Sequence, residues 1–174
     1  MTQSTGSATT HLVVIRGNSR TGKSTLSMAL RERPMSVVGQ DHVRRIVLKE
    51  SLSGEHLDTV ELLDLMVRFC LDSGRDVVLE GILYADLYGT MLTRLLADHV
   101  GHNHVYYLSA PFEETVRRHR LSPDTANWTS DDMRQWWHDE DLLGLPDEIV
   151  LDADAPAAQA LSRITADLDA EGSR

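Results

Sequence analysis

The sequence predicts an α/β domain in which a parallel sheet is covered by helices on both faces. Three observations predict it. Short apolar runs alternate with longer stretches of helical spacing along the chain. The runs are apolar throughout rather than at every second residue, the pattern of strands buried on both faces. The first run feeds a glycine-rich loop that opens a helix, Gly17-Asn18-Ser19-Arg20-Thr21-Gly22-Lys23-Ser24.

The first strand is residues 11–16, with Leu12-Val13-Val14-Ile15 as its core. A helix over residues 23–33 follows and must stop before Pro34. Residues 35–40 form a short second strand, and Asp41 is placed to cap a helix over residues 41–50. The longer helix, residues 55–73, spaces Glu61, Asp64, Arg68 and Asp72 on its polar side. Val60, Leu63, Val67 and Cys70 are left for the core, and Gly74 ends it. Val77-Val78-Leu79 marks a third strand over residues 76–80. Residues 84–100 are helical, residues 104–108 form the fourth strand, and Pro111 opens a helix over residues 110–121. A polar loop covers residues 122–128. Thr129 and Asp132 have the spacing of a capping box for a helix over residues 130–143. The fifth strand is residues 148–151. The last helix, residues 156–170, turns Ala160, Leu161, Ile164 and Leu168 inward.

A chain of 174 residues suits one domain with one sizeable core, here residues 11–170. The formal net charge of −10 disfavours a nucleic-acid substrate, whose binding rests on neutralising phosphates. It leaves room for a local basic pocket that takes a small anion. The single cysteine, Cys70, excludes a disulfide framework and a cysteine metal site, and it reads as a core residue. No stretch approaches the length of a membrane span. Residues 1–10 are polar and lack the basic and apolar regions of a secretory leader, so a mobile tail and a cytoplasmic location are expected. The end from Glu171 onward is expected to be mobile as well.

The glycine-rich loop fits G-x-x-x-x-G-K-[ST] in full. Glycines let the backbone bend so that successive N–H groups face phosphate oxygens, and the helix behind aims its positive end at the same anion. ATP is therefore expected on Gly17, Asn18, Ser19, Arg20, Thr21, Gly22, Lys23, Ser24 and Thr25. Lys23 reaches the β- and γ-phosphates and the Ser24 hydroxyl takes Mg²⁺. The bland alternative is a plain strand-to-helix turn. A dinucleotide reading is weaker, because G-x-G-x-x-G is absent.

Ligands of an open parallel sheet sit beyond the carboxyl ends of its strands. Asp41 and Glu80 both end strands at that edge. Asp41 is read as general base or anchor of the acceptor hydroxyl, with a simple helix cap as the alternative. Glu80 is read as a water-mediated Mg²⁺ contact or a partner of the substrate, with a solvated strand end as the alternative. Gly81 beside it permits close approach of a ligand. Arg44 or Arg45 is a candidate for an anionic substrate group. Arg117 and Arg120, three apart on one helix face, suit a short lid around residues 117–130 that brings guanidinium groups onto the transferring phosphoryl. Pairing with Glu113 and Glu114 is the alternative. Tyr84, Tyr88 and Asp86 are candidates for the acceptor pocket. His99, His102 and His104 fit no zinc spacing and read as surface or capping residues. Trp136 and Trp137 read first as docking residues.

Together these motifs resemble the small P-loop kinases of the group that holds chloramphenicol phosphotransferase, the zeta-toxin kinases and the adenylate and shikimate kinases. The resemblance is nearest to bacterial proteins described as kinase or uridine-kinase-like. It is carried by Gly17–Ser24, Gly39-Gln40-Asp41 with Arg44-Arg45, Leu79-Glu80-Gly81-Ile82-Leu83-Tyr84, Tyr107 to Thr115 leading into Arg117–Arg120, and Trp136 to Leu145. It implies a three-layer P-loop NTPase fold, a five-stranded parallel sheet in the order 2-3-1-4-5, Asp41 as base, Arg117 and Arg120 in the lid, and adenine near Ala153–Pro156. One departure is Glu80, where many relatives place aspartate. The implied activity is ATP- and Mg²⁺-dependent transfer of the γ-phosphoryl group to a hydroxyl of a nucleoside, sugar derivative or antibiotic. The alternatives are a nucleotide-hydrolysing switch, which the absence of an N-K-x-D segment disfavours, and a toxin kinase acting on cell-wall sugar nucleotides.

Overall fold

The computed structural model describes residues 4–51, 57–122 and 128–171. Five parallel strands form one sheet in the order β2-β3-β1-β4-β5. They are β1 (His11–Arg16), β2 (Met35–Gly39), β3 (Asp76–Glu80), β4 (His102–Ser109) and β5 (Glu148–Asp152). The helices are α1 (Lys23–Leu30), a single turn α2 (Gln40–His42) continued by a π-helical turn (Val43–Val47), α3 (Asp58–Asp72), α4 (Ala85–Asp98), α5 (Phe112–Arg120), α6 (Ser130–Gln135) and α7 (Ala157–Glu171).

Side chains alternate across a strand, so β1 feeds both layers. Leu12 and Val14 pack with Leu63, Val67 and Leu71 of α3 and with Tyr88, Leu92 and Leu95 of α4. Val13 and Ile15 pack on the other face with Leu26 and Leu30 of α1 and with Ala160, Ile164 and Leu168 of α7. All six residues of β1 are buried, as expected of a central strand. Its register pairs Ile15 with Glu80 of β3 and with Tyr106 of β4. β1 and β3 thus end together beside the glycine-rich loop, while β4 runs on to Ser109.

Several elements differ from their sequence reading. The start of the chain is not a free tail over residues 4–10. Thr5 and Thr10 are each 2% exposed. The Thr5 hydroxyl and the Gly6 amide both donate to Asp72 Oδ1, at 2.7 and 2.8 Å, and Thr5 bridges to His99. The C-terminal stretch is helical through Glu171. Asp64, read as a solvent-facing position, is 8% exposed because Arg68 and Arg94 close over it. Val60 and Cys70 are only partly buried, at the margin of the core. Asp41 is not a cap: Gly39 holds the N-cap position of α2 and no side chain caps it. The Thr129–Asp132 capping box is present, but α6 stops at Gln135 rather than running to residue 143. The following residues bond instead to other parts of the chain, and those bonds shape the site.

Candidate active site

The cradle is built from backbone. Gly17 leaves β1 at φ +138°, and a Cβ there would lie 2.4 Å from the Leu108 carbonyl oxygen. Gly22 sits at φ +101° as the N-cap of α1, with open space where a Cβ would be. Both positions therefore require glycine. Arg20 also takes a left-handed conformation, at φ +64°. The Lys23 ammonium folds back into the loop and donates to Asn18 O at 2.6 Å. Burial draws its pKa down to about 8, with Glu80 and Asp41 opposing the shift. A buried ammonium held only by a neutral carbonyl and, at 3.4 Å, the Thr21 hydroxyl is ready to exchange these partners for a phosphate oxygen.

Glu80 is 9% exposed, so it is no solvated strand end. Burial pushes its carboxyl up, against the pull of Lys23 and of the Ser24 hydroxyl. That hydroxyl donates to Glu80 Oε2 at 3.2 Å. Ser24 and Glu80 thus offer two oxygen ligands side by side at the mouth of the cradle. This donor set fits Mg²⁺, which takes one or two protein oxygens and completes its shell with water and phosphate. Among the described residues no group of three or more His, Cys, Asp or Glu could hold a metal by itself. Gly39 and Gly81 let these walls close up. A Cβ on Gly39 would stand 3.0 Å from Glu80 Oε1, and one on Gly81 only 2.5 Å from Gln40 Cβ.

A cavity of about 960 Å³ opens from the cradle. Asp41, Arg44, Arg45, Glu80, Tyr84 and Tyr88 line one end, and Arg118, Asp152, Ala153 and Ala155 line the other. Asp41 Oδ1 accepts from Arg44 Nη2 at 3.1 Å and from Arg45 Nε at 3.2 Å. The Tyr84 hydroxyl donates to Trp136 O at 2.7 Å, which fixes the ring in the wall. Asp86, the other acceptor-pocket candidate, is exposed and does not line it.

No protein-family model matches the sequence, and no curated protein does. Solved structures do resemble the chain. Gluconokinase from Sinorhizobium meliloti 1021 is 16% identical over 96% of this chain and 93% of its own, with a TM-score of 0.65. APS kinase CysC from Mycobacterium tuberculosis, in complex with AMPPNP and APS, is 18% identical over 95% and 98%, with a TM-score of 0.67. The tunicamycin resistance protein of Deinococcus radiodurans is 15% identical over 91% and 95%, with a TM-score of 0.64. The chain shares the fold of these structures, the three-layer P-loop NTPase fold. The strand order that the resemblance implied, 2-3-1-4-5, is the order observed.

Within this fold the arginines are arranged differently from their sequence reading. Arg117 is spent on Glu114, to which it donates twice, at 2.6 and 2.7 Å, and its side chain is 62% exposed. Arg120 is exposed, and neither residue lines the cavity. Arg118 does. It donates to Thr21 O and Ala153 O and pairs with Glu114 at 2.7 Å, joining the cradle to the turn after β5. The spacing of Arg117 and Arg120 identified a shared face, but that face points outward. Of the lid segment, residues 123–127 lie outside the described residues. Its flanks reach the cradle, since Arg20 Nη1 donates to Ser122 Oγ at 3.0 Å.

Two further contacts escaped the sequence reading. Trp128, taken as part of a polar loop, lines the cavity and carries Arg20 at 5.5 Å and Arg45 at 5.0 Å from its ring centroid. Asn18 does more than line a loop. Its side chain donates to His138 O at 2.7 Å and accepts from His138 N at 3.2 Å, tying the cradle to the segment after α6. A tryptophan inside the expected lid segment was the one available signal. The Asn18 pairing spans 120 residues and left none.

Proposed function

We propose that this chain is a Mg²⁺-dependent ATP kinase that phosphorylates a hydroxyl of a small molecule. The observation that carries the reading is the convergence of Lys23, the Ser24–Glu80 pair and Asp41 around one cavity behind a glycine-built phosphate cradle. The fold shared with the structures named above supports it.

In this reading the amides of residues 17–25 hold the triphosphate, and Lys23 leaves Asn18 O for the β- and γ-oxygens. Ser24 and Glu80 hold Mg²⁺, which when bound offsets charge on the phosphate oxygens. Arg118, already beside the Thr21 carbonyl, supplies a guanidinium to that charge in place of Arg117 and Arg120. Adenine lies against Arg118 and the turn after β5, near Ala153–Pro156. Asp41 accepts the acceptor's proton as the oxygen–phosphorus bond forms and the β–γ bridge breaks to leave ADP. Tyr84, Arg44 and Arg45 position the acceptor. Lys23, Ser24, Asp41 and Glu80 sit at a β-strand end and in first helical turns, where the scaffold is rigid.

The test is a screen of nucleosides, sugar acids, amino sugars and antibiotics with ATP and Mg²⁺, read by product mass. ADP release that depends on one acceptor class is expected. Lys23→Ala should remove nucleotide binding or turnover. Asp41→Asn should keep AMPPNP binding and lower transfer by about 10²-fold or more. Release of ADP indifferent to every acceptor would instead make the chain a nucleotide-hydrolysing switch.

A further inference from the structure

Among the described residues, the acceptor end of the cavity holds more positive charge than its carboxylates neutralise. Arg44 and Arg45 converge on one carboxylate, and on one oxygen of it, Asp41 Oδ1. The second acid beside Arg44 is committed elsewhere. Glu50 accepts from the amides of Asp58 and Thr59, at 2.7 and 3.2 Å, and from the Thr59 hydroxyl, so it serves the amino end of α3. Arg44 reaches only the carbonyl oxygen of Glu50, at 3.5 Å. Glu80, deeper in, is matched by Lys23 and Ser24. Two guanidiniums therefore share one available carboxylate.

A second observation points the same way. Arg44 Nε is buried and has no hydrogen-bond partner. Buried donors are almost always paired, so an orphan in the wall of a cavity marks the place of a missing acceptor. The π-helical turn Val43–Val47 aligns both guanidiniums here, closed by Leu48 N donating to Val43 O at 2.9 Å. Such turns are costly and recur at functional sites. Beside them Trp128, whose ring lies under Arg45, meets Trp136 edge to face at 6.1 Å, giving the cavity an aromatic wall.

We propose that the phosphoryl acceptor is an anion, a hydroxylated small molecule whose carboxylate, sulfate or phosphate group seats on Arg44 and Arg45. Its hydroxyl is then directed to Asp41 Oδ2, the oxygen that neither arginine occupies, and its carbon skeleton lies along Trp128 and Trp136. The assignment rests on the kinase reading and narrows it. A planar guanidinium pair recognises a tetrahedral or trigonal oxyanion through parallel N–H donors.

Two measurements test it on the full chain. In the first, sodium sulfate and sodium malonate are titrated calorimetrically into protein saturated with Mg²⁺ and AMPPNP, so that the phosphate cradle is filled. A saturable heat is expected for at least one of them. It should weaken by about tenfold or more in Arg45→Gln and vanish in the Arg44→Gln/Arg45→Gln double variant. In the second, hydroxy acids, sulfates and phosphomonoesters are compared as acceptors with their neutral amides, esters or alcohols. The charged member should be preferred by at least about tenfold in kcat/KM, mostly through KM, and the preference should shrink in Arg45→Gln. Absence of an anion-binding heat in wild type, an unchanged heat in the folded double variant, or equal use of neutral acceptors overturns the proposal and leaves the kinase reading standing. Failure of AMPPNP to bind overturns both.

Discussion

At the scale of single residues, the chemistry of the site is set by burial. Lys23 carries the clearest mark, an ammonium drawn from 10.5 to about 8 by desolvation. Phosphate binding needs the charged form. Nucleotide affinity should therefore be full below about pH 8 and fall as pH rises through it, where a solvated lysine would hold to about pH 10.4. Binding at pH 8.5 should also take up a proton, because a phosphate partner raises the lysine pKa again. Calorimetry from pH 7 to 9.5, in buffers of differing ionisation heat, checks both. Affinity constant across that range would mean that the lysine is not held as described. The same scale explains Arg118. Its neighbours Arg117 and Arg120 look equivalent in sequence, yet only position 118 faces the cradle.

At the scale of elements, short contacts decide where functional groups stand. β3 ends in Glu80-Gly81 and β2 passes into Gln40-Asp41, and the two turns touch through Gly81. Gly81→Ala places a methyl 2.5 Å from Gln40 Cβ. We expect a loss of about 1–3 kcal/mol from overpacking. Asp41 and Arg44 should shift with it, which would raise KM for the acceptor while AMPPNP affinity stays near wild type. Denaturant melts and steady-state kinetics on one preparation separate the two effects. Thr129→Ala, which removes the hydroxyl that accepts from Asp132 N in the α6 capping box, should cost about 1 kcal/mol. That helix carries Trp136 as its C-cap residue, so fluorescence from the cavity wall should report its fraying.

At the scale of the whole molecule, one buried ion cluster joins distant parts. Arg16 is fully buried at the end of β1. It donates to Glu148 of β5 at 2.8 Å, to Asp141 at 3.2 Å and to Leu83 O at 2.9 Å. Asp141 in turn accepts from Ala85 N at the start of α4. Arg16→Met strands two carboxylates and should cost about 3–5 kcal/mol, which for this length lowers Tm by roughly 10 °C. Adding Glu148→Gln should recover part of that loss in a thermal melt. At the opposite edge of the sheet His11 stacks on His102 and His104, with ring centroids 4.9 and 5.5 Å away. Burial first, then the positive charge of His11, holds His104 down to about 4, with Asp167 and Glu171 opposing. A folded pKa below the unfolded 6.5 means that the unfolded chain binds the extra proton. Stability should thus be full above pH 6.5 and decline toward pH 4. Solvent screening at this partly exposed site limits the effect to on the order of 1 kcal/mol. His104→Gln should flatten that decline in urea titrations at pH 7 and pH 4.5.

The sequence by itself determined the sheet, the order of elements, the glycine cradle with Lys23 and Ser24, and the acids Asp41 and Glu80 at the strand ends. Those features are local: an apolar run, a left-handed glycine and a strand-end carboxylate are each written within a few residues. The tertiary structure alone decided which arginine faces the cavity, why α6 ends at Gln135, that residues 4–10 pack on Asp72, and that Trp128 spans Arg20 and Arg45. Each of these turns on partners far apart in the chain, such as Asn18 with His138 or Arg118 with Ala153. Helical periodicity fixes which residues share a face, but the direction of that face is set only when helices dock on the sheet.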